Sequence, residues 1–91
     1  MMQKRAVVSV VGKDQVGIIA KVTTILAENS VNISDISQTI LQDFFTMIML
    51  IDINDPTKLS ELKEKFKPAE QELGLKISIQ LEDVFQAMHR V

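Results

Sequence analysis

The 91-residue chain contains no cysteine, tryptophan or tyrosine and one histidine, His89. Without thiols it can form neither a disulfide framework nor a thiolate zinc centre, and it has no cysteine nucleophile. One imidazole near the C-terminus does not build a common transition-metal site, so His89 reads as a surface residue and no cofactor is expected. Net charge is small as well: ten basic residues against twelve acidic ones leave −2. Nucleic-acid binding is driven largely by counterion release at basic surfaces, and sheet modules that read RNA expose paired aromatics. This composition supplies neither, so no direct nucleic-acid partner is expected. Long apolar runs are also missing. Ser9, Lys13 and Asp14 interrupt the first one far short of the roughly 18–20 residues of a membrane span, and no signal-peptide core follows Met1.

What is present has the size of a single domain, 1–91. A chain this short buries only roughly 60–65% of the surface that its unfolded form exposes, which favours a partner subunit. The lack of cysteine fits a reducing cytoplasm, and a cytoplasmic location is expected.

Along the chain the hydrophobic period switches repeatedly. Ala6 to Val11 is apolar on both alternating faces, the pattern of an interior strand. From Gly17 the period becomes helical, with Ile18, Val22, Ile25 and Leu26 on one face, and Asn29-Ser30 ends it. Val31 to Leu41 and Phe44 to Ile53 are two β-rich runs. Gln42-Asp43 between them is not a favoured two-residue turn, which predicts a bulge or a slightly longer loop. In the second run Phe45, Met47, Met49, Ile51 and Ile53 share a core face, yet Phe44, Ile48 and Leu50 make the opposite face apolar too. Asn54-Asp55-Pro56 reads as a helix start, with Asp55 capping and Pro56 at the first helical position. Leu59, Leu62, Phe66, Ala69 and Leu73 continue that helix. Pro68 inside it predicts a kink or restart, and Gly74 a stop. Leu75, Ile77, Ile79 and Leu81 then alternate with polar residues as a strand with one buried face. Val84, Phe85, Met88 and Val91 form an amphipathic tail expected to cover the second sheet face. The fold class is α+β, a ferredoxin-like βαββαβ sandwich with an antiparallel four-stranded sheet and a short C-terminal helix.

The stretch VVSVVGKDQVGIIAKVTTILAENSVNI, Val7 to Ile33, with DISQTILQDFFTMIML, Asp35 to Leu50, and LKISIQ, Leu75 to Gln80, resembles an ACT domain. The likeness covers nearly the whole chain and is strongest to the small free-standing ACT-domain proteins of bacteria and archaea; it extends to the ACT domains of the glycine cleavage system transcriptional repressor. In that family the loop after the first strand and the Asn opening the second form an amino-acid pocket at a dimer interface. The resemblance therefore implies a non-enzymatic regulatory protein, a homodimer that senses an amino acid and signals to a partner protein. Its ligand-binding residues would be Gly12, Asp14, Gly17, Ile18 and Asn32.

The chemistry agrees with that assignment. A loop closed by Gly17 presents backbone N–H groups at a helix N-terminus, suited to a carboxylate. Asp14 and the side-chain oxygen of Asn32 can accept from an ammonium group. The plainer alternative is that Asp14 caps the helix and Asn32 satisfies backbone at the strand entry. Val16 stands where a Pro is common in the family and Gly12 where some amino-acid-binding members place a His, which keeps a second reading open: a protein–protein interaction module with no small-molecule ligand. The glycine spacing of Gly12 to Gly17 resembles a phosphate-binding loop, but the Lys and Ser/Thr that must follow the second glycine are missing. Asp35, Asp43, Asp52 and Asp55 have no nucleophile or base beside them and read as solvated or capping carboxylates. No enzyme is expected.

Overall fold

The computed structural model describes residues 4–53 and 57–83. Strand β1 (Lys4–Lys13) is followed by helix α1 (Ile18–Glu28), strands β2 (Asn32–Leu41) and β3 (Phe44–Ile53), helix α2 (Lys58–Leu73) and strand β4 (Lys76–Leu81). The sheet runs in the order β2-β3-β1-β4, and each neighbouring pair is antiparallel. The βαββαβ order and antiparallel sheet are the ferredoxin-like arrangement that the hydrophobic periods imply.

The valine-rich β1 is interior because both of its faces are apolar. Ala6, Val8 and Val10 point to the helix side and are fully buried. They meet Met47, Met49 and Ile51 of β3 and Ile79 of β4, with Ile18, Val22, Ile25 and Leu26 of α1 and Leu62, Phe66 and Ala69 of α2 above them. Burying each large side chain of this set contributes roughly 1.5–3 kcal/mol. Met47 and Met49 are core residues with no exposed surface.

One expectation needs correction and a second needs narrowing. The β2–β3 connection has neither a bulge nor a longer loop: Leu41 pairs directly with Phe44, and the register shift lies elsewhere, between Ile33 and Asp35. Gln42 takes the left-handed conformation, φ 59°, that the two-residue link demands and that a glycine would adopt without strain. Pairing along the whole of two ten-residue strands holds it there. Helix α2 also runs without a restart through Pro68. Phe66 and Ala69 on either side of the proline are anchored in the core while Pro68 and Glu64 face solvent, so the carbonyl that loses its donor can bond water. Gly74 ends this helix as expected, at φ 65°, and the Leu75 amide donates back to the Glu70 carbonyl. The expected start at Asn54-Asp55-Pro56 lies outside the described residues.

The two helices cover β3, β1 and β4 better than β2. On the helix side of that edge strand Ile36 and Ile40 remain exposed. On the second face Val7 is buried and Leu50 half-buried, whereas Phe44 and Leu41, 62% and 72% exposed, with Val11 and Ile48 form an apolar patch at the hairpin end. The segment from Val84, expected to pack on this face through Phe85 and Met88, lies outside the described residues, as does His89.

Candidate functional site

The loop from Asp14 to Gly17 is tied at several points. The Asp14 amide donates to the Asp43 carbonyl of the β2–β3 turn at 2.7 Å. Gln15 reaches the other way, its Nε2 donating to the Leu73 carbonyl at 2.7 Å and to the Lys13 carbonyl at 3.2 Å. Gly17 then turns the chain into α1 with φ 97°, a conformation that costs other residues on the order of 1 kcal/mol. The first helical bond runs from the Lys21 amide to the Gly17 carbonyl. The amides just before Lys21 thus open a helix that no side chain caps.

Between this loop and the hairpin end of the sheet lies a groove of about 350 Å³. Asp14, Gly17 and Ile18 line it, together with Ile19, Gln38, Ile40 and Phe45. Among the described residues no hydrogen bond or ion pair engages the Asp14 carboxylate, so it does not act as a helix cap. It is exposed at the rim.

Gly12 is placed differently. It lies on β1 opposite Phe45, and it is not among the groove's walls. A Cβ there would meet the Leu75 Cδ2 at 2.6 Å and the Gly74 carbonyl oxygen at 3.4 Å. Its bare backbone lets the α2–β4 corner close against β1. Gly12→Ala is expected to cost about 1–3 kcal/mol through overpacking, because Leu75 is buried and must shift. Thermal denaturation should show a fall in Tm of at least about 4 °C.

Asn32 lies at the far end of β2 from Asp14. It pairs with Asp52, whereas the strand's other end pairs Leu41 with Phe44 beside Lys13. Nine residues of strand separate the two ends, on the order of 30 Å. Within one chain the loop and Asn32 are therefore not brought together. The Asn32 side chain has a partner that the sequence did not announce. Its Nδ2 donates to Asp52 Oδ2 at 3.0 Å, and Ser34 Oγ donates to Asp52 Oδ1 at 2.7 Å. Ionised carboxylates only accept, so Asp52 fixes the Asn32 amide with its oxygen directed away as a free acceptor. The hydrogen bonds from Asn32 and Ser34, with Arg5 nearby, hold the Asp52 carboxyl below its ordinary value. A depressed carboxylate contributes stability above its unfolded pKa, near 4, that is lost as pH falls through the folded value. In an NMR titration Asp52 should titrate below the ordinary aspartate value, and Asn32→Ala should raise it.

Gln15, Gln38, Ile40 and Phe45 were absent from the expected site, as was Asp52. Gln15 sits within the loop already singled out, whereas only the pairing register could reveal Gln38, Ile40 and Phe45, which it brings under a loop more than twenty positions earlier, and Asp52, which it sets opposite Asn32. Among the described residues no group of three or more potential metal ligands occurs, and no helix is long and apolar enough to cross a membrane.

The chain belongs to the ACT domain family, whose model matches residues 4–80. It is 58% identical over 87 residues to a UPF0237 protein of Clostridium perfringens, an alignment covering 94% of this chain and 98% of the relative. Among solved structures, an ACT domain protein from Streptococcus pneumoniae superposes with a TM-score of 0.79 at 39% identity, covering 97% of this chain and 100% of that one. A protein described as a glycine cleavage system transcriptional repressor shares the fold at 22% identity, with a TM-score of 0.77 over 89% of this chain and 47% of its own. ACT domains are regulatory domains that bind small molecules.

Proposed function

We propose that this protein is a cytoplasmic, non-enzymatic amino-acid sensor, a single ACT domain over 1–91 that binds its ligand between two copies and passes the signal to a partner protein. The observation that carries this reading is the groove where the uncommitted Asp14 carboxylate faces the uncapped start of α1. Opposite charges at the two ends of a zwitterion match those two features. Asn32 enters through the second copy. Antiparallel pairing of two β2 edges about a two-fold axis sets the Asn32 end of one strand beside the Leu41 end of the other, next to the partner's Asp14 loop. Ligand bridging two subunits favours the paired state to the extent that it binds that state better. A thermal-shift screen of the twenty amino acids tests this; stabilisation by none of them at millimolar concentration would refute it.

A second reading, an interaction module without a small-molecule ligand, is favoured by one observation. The apolar patch of Leu41, Phe44, Val11 and Ile48 on the open sheet face resembles a protein-binding surface. Under that reading the screen yields nothing and the patch substitution Phe44→Ser removes partner binding.

A further inference from the structure

We infer that the ligand is an amino acid with an apolar side chain, which lies between α1 and the hairpin end of the sheet. The inference rests on the sensor reading above and adds the ligand's side-chain class. Among the described residues that line the groove none is basic, and Asp14 is acidic. A phosphate, nucleotide or dicarboxylate carries more negative charge than the one uncapped helix start can receive, and the excess would be repelled by Asp14 at the rim. The side-chain N–H donors of the loop, those of the Gln15 amide, are already committed to the carbonyls of Leu73 and Lys13. Beyond the loop the walls are Ile19 and Ala20 from the first turn of α1, Ile40 from β2 and Phe45 from β3, with Gln38 the one polar side chain.

The volume suits a free amino acid. About 350 Å³ is the share of roughly a dozen waters and stands at the low end of ligand cavities, which span roughly 300–1,000 Å³. One amino acid fits, with its charged groups at the loop and its side chain against Ile19, Ile40 and Phe45. A serine hydroxyl or a second charge would lie against aliphatic walls, with Gln38 alone to receive it, and would lose its water without full replacement. Ile40 is exposed on the edge strand, so a second copy paired along β2 would close the groove over the ligand.

The test is isothermal titration of the full chain with L-valine, L-leucine, L-isoleucine and L-methionine, set against glycine, L-serine, L-aspartate and L-lysine. An apolar pocket distinguishes ligands by roughly 10–200-fold per methylene, so the best apolar amino acid should bind at least tenfold more tightly than glycine or serine. Ile40→Ser and Ile19→Ser each replace a solvent-accessible side chain, and circular dichroism reports whether the fold is kept. Either should weaken the apolar ligand about tenfold and so narrow its lead over glycine. If serine, aspartate or lysine binds best and Asp14→Ala abolishes that binding, the sensor reading stands and the apolar class is overturned. If no amino acid binds while light scattering shows a dimer, both fail, and the groove is filled by the second copy itself.

Discussion

Asp14→Ala is expected to abolish the thermal stabilisation that an amino acid confers on the wild-type chain while leaving the unliganded Tm almost unchanged. The asymmetry follows from what the carboxylate touches. It is exposed, and among the described residues it takes part in no hydrogen bond or ion pair, so the fold loses little with it. A ligand at ten times its Kd stabilises the native state by about 1.4 kcal/mol, a shift of roughly 5–10 °C in a domain of this size. Differential scanning fluorimetry resolves that easily. Asn32→Ala should lose the same shift, but it also strips Asp52 of the amide donor held at 3.0 Å, so its unliganded stability should fall less steeply than the wild type's as pH drops through the carboxylate range. If both variants respond to ligand like the wild type, the groove is not the binding site.

At micromolar concentration the chain should elute with a light-scattering mass twice the 10.2 kDa of one copy, and Ile36→Lys should return it to monomer. Strand β2 lies at the sheet edge, and the unpaired N–H and C=O groups of an edge template pairing with another chain. Its helix-side residues Ile36 and Ile40 are exposed, so pairing would bury apolar surface as well as complete a ladder. A lysine at position 36 brings a charge into that contact, the device by which natural edges avoid association. The side chain is already solvent-accessible, so the monomer should keep its fold by circular dichroism. A monomeric wild type at these concentrations would remove the basis for an intersubunit site.

The core was legible because its signal is periodic. Val8 and Val10, Met47 and Met49, and Ile18, Val22, Ile25 and Leu26 declare their faces at spacings of two and of three to four, and each is buried as that spacing demands. The tight turn at Gln42-Asp43 and the unbroken passage of α2 through Pro68 have a common cause. Local preference opposed the outcome in both, and long-range packing decided it. The candidate site was legible only in part. Loop glycines and a carboxylate before a helix leave a sequence trace, and Asp14, Gly17 and Ile18 do line the groove. Gln38, Ile40 and Phe45 reach the groove through strand register, and the Asp52 bond to Asn32 spans twenty residues, so neither has a local signature. Gly12 shows how one sequence signal can carry two meanings, since a glycine near a binding loop is also what a close Leu75 contact requires.

The central claim, that one ligand is held by Asp14 of one chain and Asn32 of its partner, is tested most directly by mixing the two defects. Asp14→Ala and Asn32→Ala chains carrying different affinity tags are co-expressed, the mixed dimer is isolated through both tags, and amino-acid binding is measured by titration calorimetry. In that dimer one site carries both substitutions and the other carries neither. The account predicts one site per mixed dimer with wild-type affinity, while each variant homodimer binds nothing. A mixed dimer as inactive as its parents would mean that Asp14 and Asn32 do not meet across the subunit boundary, and would contradict the account.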